Sequence, residues 1–299
     1  TMDVMTTPVF LITGATGYLG RRLVREAALR GRVYAASRNP SESQPLGVPV
    51  QLDVSDREAV LRVTHELEPT TIIHAAAVNP GQGDDDAMWQ VNAHGSRHVA
   101  EAAREVGSRM VAISTDVVHD GRHGPYEDDA PANPINEYGR SKAAGEEAVA
   151  AAAPEAAIVR TSLMYGFDEM DRGTAGFAQR IKRGEPVVLF SDVLRNPILV
   201  DTLAEATVLL AETAYAGTLN IAGREALSRE EYGRKMLAYW TVSTEGLVQV
   251  GSAAERSDSI PLDLRLSVEL AEEMLEVDLA SLTTNLSSHP PSGRGSNRS

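Results

Sequence analysis

The sequence predicts an α/β fold, a doubly wound parallel sheet followed by a smaller C-terminal lobe, on three observations. Residues 9–13 (VFLIT) are a short continuous apolar run, the pattern of a strand buried on both faces. Gly14, Gly17 and Gly20 follow at a spacing of three, and residues 21–29 continue in good helix formers with apolar positions at Leu23, Val24, Ala27 and Ala28. Short apolar runs then alternate with helical patterns as far as Tyr165, and the alternation weakens from Gly166 onward.

Strand, glycine-rich turn and helix in that order make a Rossmann-type phosphate cradle. Gly14 can take backbone angles closed to other residues, Gly17 leaves no side chain between the backbone and a pyrophosphate, and Gly20 lets the helix approach the strand. Thr16, Tyr18 and Leu19 complete the loop as cofactor contacts. The helix N-terminus offers free amide hydrogens and partial positive charge to the phosphates. A glycine turn without a ligand is the plainer alternative, and the flanking strand and helix argue against it.

At 299 residues the chain can bury one large α/β core and carry a smaller lobe. The 28 Lys and Arg against 42 Asp and Glu leave a net charge of −14, which argues against nucleic-acid or anionic-membrane binding while allowing a local basic pocket. The absence of cysteine excludes disulfides, thiolate catalysis and cysteine-bound metals. No apolar run has the length of a membrane span, so a cytoplasmic protein is the expectation. The composition of residues 286–299 predicts a disordered tail.

Residues 32–37 read as a second strand ending at Ser37 and Arg38. A fold that prefers NAD usually places an acid at this junction, to accept from the ribose hydroxyls. A hydroxyl and a guanidinium stand here instead and suit a 2′-phosphate, so the cofactor expected is NADP(H). A third strand, 49–53, delivers Asp53 and Val54, with Asp53 open to the alternative of capping the helix near Arg57. Residues 71–77 are a fourth strand running into Ala75, Ala76 and Ala77, whose small side chains admit a cofactor; His74 before them reads as a packed core histidine.

A long helix is expected over 87–106. His94 and His98 sit one turn apart on it, but no glutamate lies between them and no third ligand is evident, so no metal site is expected there or at His119 and His123. Residues 109–114 form the fifth strand and lead to Thr115 and Asp116. Tyr138 and Lys142, four apart, share one face of the next helix. Alone, such a pair is an ordinary amphipathic feature; its place after a strand ending in Ser-Thr is what gives it weight. A sixth strand covers 156–161. The Rossmann domain is assigned to 8–165, with 198–222 returning to it, and the lobe to 166–197 and 223–285.

Gly14, Gly17 and Gly20, the run Ser114-Thr115-Asp116, and the block from Asn133-Pro134 through Tyr138-Gly139-Arg140-Ser141-Lys142 to Gly145-Glu146 resemble the extended short-chain dehydrogenase/reductases. With Arg160-Thr161-Ser162, Tyr165-Gly166 and Arg195-Asn196-Pro197, the resemblance points within them to the dTDP-4-dehydrorhamnose reductase-like branch. It implies NADPH-dependent reduction of a nucleotide-linked 4-keto-6-deoxysugar, with Tyr138 as proton donor, Lys142 lowering its pKa and holding the ribose, and Thr115 bonding the substrate oxygen. It further implies adenine contact at Asp53 and Val54, substrate contact at Asp116 and Arg195, a backbone-tying role for Asn92, and a homodimer through the Ala-rich helix after Lys142 and the helix of Asn92.

Val117 after Asp116 disfavours the family's dehydratases, which carry an acidic pair there, and Ser37-Arg38 disfavours its NAD-retaining epimerases. A non-catalytic NADP-binding regulatory subunit, similar to the methionine adenosyltransferase β subunit, is the alternative from another class. Two positions depart from the branch: His119 stands where an aromatic is usual, and Gly176 where an asparagine helps hold the diphosphate.

Overall fold

The computed structural model describes residues 7–40 and 46–291. Its frame is a seven-stranded sheet, every pairing parallel, built from β1 (Val9–Thr13), β2 (Arg32–Ser37), β3 (Val48–Gln51), β4 (Thr71–His74), β5 (Arg109–Thr115), β6 (Ala157–Thr161) and a last strand, Gly217–Asn220. From one edge the order is β3, β2, β1, β4, β5, β6 and Gly217–Asn220. The order reverses between β1 and β4, and the crevice beyond the carboxyl ends of the strands at such a point is where ligands bind in open α/β sheets.

One face of the sheet packs on α1 (Tyr18–Ala27), α7 (Val200–Ala211) and α9 (Glu269–Leu275), through a core including Phe10, Ile12, Leu23, Leu203 and Leu275. The other packs on α2 (Arg57–Leu67), α4 (Ser96–Val106) and α5 (Glu137–Ala152), through Leu11, Val60, Ile72, Val99 and Val149. Strands buried on both faces explain the continuous apolar runs at β1 and β4. The smaller lobe holds α6 (Arg172–Lys182), α8 (Arg229–Tyr239), α10 (Leu282–Ser288) and short strand pairs, among them Leu194–Arg195 antiparallel to Leu227–Ser228. Among the described residues no helix is long and apolar enough to cross a membrane.

Four expectations need correction. The third strand lies at Val48–Gln51, which leaves Asp53 in the loop after it. The long helix begins earlier, with α3 (Asp85–Met88), and its middle, Trp89–Gly95, is a π-helical turn. Close packing accompanies the widened turn: a Cβ on Gly95 would lie 2.8 Å from Val54 Cγ2, and one on Gly145 of α5 would lie 2.3 Å from the Asn92 carbonyl. Residues 267–275, assigned to the lobe, include α9, which buries Ala271 and Leu275 in the main core. The expected tail is ordered at its start, because α10 runs to Ser288, Leu286 packs in the lobe and His289 stacks on Phe167; residues 292–299 lie outside those described.

Candidate active site

A cavity of about 940 Å³ opens at the carboxyl ends of the strands. The glycine loop forms one end of it. Gly14 has φ +70°, and a Cβ there would fall 2.6 Å from the Ala76 amide nitrogen, so the residue must be glycine. A Cβ on Gly20 would lie 2.0 Å from the Gly14 carbonyl oxygen, which is the close helix approach expected of it. Gly17 caps α1 with no side-chain hydrogen bond, leaving the first-turn amides facing the cavity that Thr16, Tyr18 and Leu19 also line.

Ser37 and Arg38 line the same cavity at the end of β2. The Ser37 hydroxyl is buried and has no hydrogen-bond partner among the described residues, while Arg38 is exposed. Asp53 and Val54 are also on the wall; Asp53 accepts from the Ser55 amide at 3.0 Å and its hydroxyl at 2.7 Å. The residue that caps α2 is Asp56, accepting from Ala59 N at 3.0 Å, so the capping alternative for Asp53 is excluded. Ala75, Ala76 and Ala77 line the cavity just beyond β4, which ends at His74. His74 is a core residue: its ring bonds Thr13 Oγ1 at 2.7 Å and Ser96 Oγ at 3.0 Å, and burial pushes its pKa down to about 3.

Thr115, Tyr138 and Lys142 all line this cavity. Thr115 ends β5, and its hydroxyl accepts from Val117 N at 3.3 Å and donates to Asp116 Oδ1 at 3.2 Å. Asn136 caps α5 by accepting from Gly139 N at 2.9 Å, which sets Tyr138 in the first turn and Lys142 one turn later. The Tyr138 hydroxyl donates to Asn79 Oδ1 at 3.2 Å, and Lys142 Nζ donates to the Ile113 carbonyl at 2.7 Å. Asn92 ties this region together: its amide accepts from Val78 N at 2.8 Å and donates to Val78 O at 2.9 Å and Ser141 Oγ at 3.0 Å.

The electrostatics differ from the expectation that Lys142 lowers the Tyr138 pKa. Burial, and then the negative charge of Asp116, push the phenol up to about 12. Burial also pushes Lys142 down to about 8, and its ammonium is tied to a backbone carbonyl. The phenol therefore stands protonated at neutral pH, the state a proton donor needs.

The two expected substrate contacts are bonded to each other. Asp116 is fully buried and does not line the cavity; it accepts from Ser162 Oγ at 2.6 Å, from Arg195 Nε at 2.5 Å and from Arg195 Nη2. A carboxylate so enclosed holds the site together from behind and does not touch substrate. Arg195 reaches the cavity wall, but its fork is engaged by Asp116. Of the two departures, His119 is fully buried, stacked on Tyr126 at 4.0 Å between centroids, with no hydrogen-bond partner for either ring nitrogen among the described residues. A Cβ on Gly176 would meet nothing within 4 Å.

Several site residues gave no signal in the sequence. Asn79 accepts from the Tyr138 hydroxyl, and Asp171, the cap of α6, accepts from Tyr232 at 3.0 Å. Glu146 pairs with buried Arg160 at 2.8 Å and accepts from Ser114. Glu146 and Arg160 were both visible within matched blocks, but only the fold brings them together. Among the described residues no group of three His, Cys, Asp or Glu is placed to hold a metal ion.

Comparison with known proteins gives the family. The dTDP-4-dehydrorhamnose reductase of Mycobacterium tuberculosis is 34% identical over 226 residues, covering 73% of this chain and 70% of the relative. A probable low-salt glycan biosynthesis reductase of Haloferax volcanii, Agl14, is 31% identical over 234 residues, covering 75% of this chain and 78% of that protein. Among solved structures, the dTDP-4-dehydrorhamnose reductase of Bacillus anthracis in complex with NADP superposes with a TM-score of 0.80 at 26% identity, over 95% of this chain and 99% of that one. The family model described as RmlD substrate binding domain matches residues 9–287, and the chain belongs to that family.

Proposed function

We propose that this protein is an NADPH-dependent reductase of a nucleotide-linked 4-keto-6-deoxysugar. The observation that carries the reading is the meeting of Thr115, Tyr138 and Lys142 in the cavity that begins at the Gly14–Gly17–Gly20 cradle. The cradle fits a dinucleotide, and the Ser37 hydroxyl beside Arg38, without a partner among the described residues, fits a 2′-phosphate. Asp53 and Val54 would flank the adenine, and Ala75, Ala76 and Ala77 would let the nicotinamide half approach the backbone.

When bound, the reduced cofactor supplies the hydride that reaches the carbonyl carbon. The Tyr138 hydroxyl releases Asn79 and gives its proton to the carbonyl oxygen as that oxygen gains charge. The Thr115 hydroxyl bonds the same oxygen and fixes its approach. Lys142, one helical turn on and held by the Ile113 carbonyl, would bond the ribose hydroxyls. The product is the alcohol, and Tyr138 regains its proton from solvent.

The test is NADPH oxidation with dTDP-4-keto-6-deoxyglucose and its 3,5-epimer, beside unlinked ketones and aldehydes. Turnover confined to the nucleotide-linked sugars supports the reading. Turnover of unlinked ketones alone would make this a reductase of another substrate class. NADPH binding without turnover of any of them would favour a non-catalytic, regulatory protein.

A further inference from the structure

Of the two guanidinium groups on the cavity wall at the Leu194–Arg195 and Leu227–Ser228 strand pair, one has a partner and one does not. Arg195 is engaged by Asp116. Arg229 follows Ser228 directly and begins α8; its side chain makes no hydrogen bond and no ion pair among the described residues. The carboxylates near it are committed elsewhere. Asp171 accepts from Thr174 N at 3.0 Å and Tyr232 Oη at 3.0 Å, Glu230 pairs with Arg234 at 2.8 Å, and Glu231 accepts from Ser228 N at 2.8 Å in a capping box. In a chain of net charge −14, this wall carries a guanidinium that no carboxylate of the described residues hydrogen-bonds.

Local structure makes the placement firm. The Arg229 amide donates to the Val193 carbonyl at 2.8 Å, and the capping box fixes the turn from which the side chain leaves. A cation at a helix N-terminus opposes the helix dipole, and the neighbouring Arg195 repels it. Burial and then Arg195 lower the Arg229 pKa, against the opposing influence of Tyr232, Asp171 and Asp116. An anion held by the Arg229 guanidinium relieves both strains.

We propose that Arg229 is the group that binds the diphosphate of the nucleotide-linked substrate, a role closed to Arg195 by its pairing with Asp116. A guanidinium fork matches phosphate oxygens bidentately, and the site lies in the same cavity as Tyr138. The proposal deepens the reductase reading and rests on it for the sugar, but not for the diphosphate.

The experiment is calorimetric titration of dTDP into the NADPH-loaded protein, with thymidine as the uncharged control, in wild type, Arg229→Gln and Arg229→Lys. Loss of one charge-assisted contact predicts about 10- to 100-fold weaker dTDP binding in Arg229→Gln. Partial recovery in Arg229→Lys, unchanged NADPH affinity and unchanged thymidine binding are expected with it. In turnover, KM for the nucleotide-linked keto-sugar should rise by a similar factor at constant kcat. Undiminished dTDP binding by Arg229→Gln, or no dTDP binding by the wild type, overturns the proposal. Arg229-dependent dTDP binding without NADPH oxidation would instead overturn the reductase reading and leave the diphosphate site standing.

Discussion

Arg195 closes on Asp116 with two donors, Nε at 2.5 Å and Nη2 beside it, across 79 residues of sequence. The carboxylate also receives Ser162 and Thr115, so one buried charge links β5, the loop after β6 and the smaller lobe. Removing one partner of a buried pair leaves an uncompensated charge, which costs about 3–5 kcal/mol. Arg195→Gln should therefore lower the urea midpoint substantially, and Asp116→Asn, which leaves the buried Arg195 guanidinium without its counterion, should lower it as well. Equal stability of wild type and Arg195→Gln would contradict the pairing.

The cofactor prediction turns on the end of β2. Ser37 and Arg38 stand where an acid would serve NAD, so NADPH should bind more tightly than NADH, and Arg38→Ala should erase most of the difference. Calorimetry with both nucleotides checks this; equal affinities in the unmutated protein would contradict it. Lys142→Ala should weaken NADPH binding and turnover together. Because Lys142 titrates near pH 8, NADPH affinity should decline as pH rises through that value.

Histidines buried as neutral bases make acid destabilising. His119 is held down to about 4 and His74 to about 3, both by burial, against 6.5 in an unfolded chain. As pH falls from 6.5, the unfolded state takes up protons that the folded state refuses until 4 or 3, so stability is full above 6.5 and is lost through that window. His119→Phe keeps a ring to stack on Tyr126 and removes the titration. Its melting temperature should exceed that of the wild type, by more at pH 5 than at pH 8. A gain no larger at pH 5 than at pH 8 would show that His119 does not contribute to the acid loss.

Much of the cradle and of the candidate site was legible because its signals are local. Three glycines at a fixed spacing after an apolar run, and a Tyr and Lys one helical turn apart, need no knowledge of the rest of the chain. What was not legible depends on distant segments meeting. The engagement of Arg195 by Asp116 follows from the lobe folding back on β5, and the lack of a partner for Arg229 among the described residues from where three carboxylates point. His119 reads as a loop residue until Tyr126 is seen stacked on it. The position of α9 was missed because its amphipathic pattern does not say which core it faces.

We expect a homodimer through α5 and the helix that carries Asn92. The outer faces of α4 and α5 form a shallow groove with Arg97, Glu101, Arg104, Ala148 and Ala151, whose small alanines allow close approach. Light scattering at micromolar concentration should give twice the chain mass. A monomer at all concentrations would leave this face as ordinary surface.

The central claim is that Tyr138 gives its proton to a carbonyl reduced in this cavity. Tyr138→Phe removes that hydroxyl and the bond to Asn79, and leaves the glycine cradle untouched. The decisive measurement is NADPH oxidation with dTDP-4-keto-6-deoxyglucose and its 3,5-epimer by wild type and Tyr138→Phe, with NADPH affinity determined in parallel. The account predicts turnover by the wild type, its loss in Tyr138→Phe by a factor of about 10²–10⁴, and near-equal NADPH affinities. Wild-type turnover by Tyr138→Phe would contradict it.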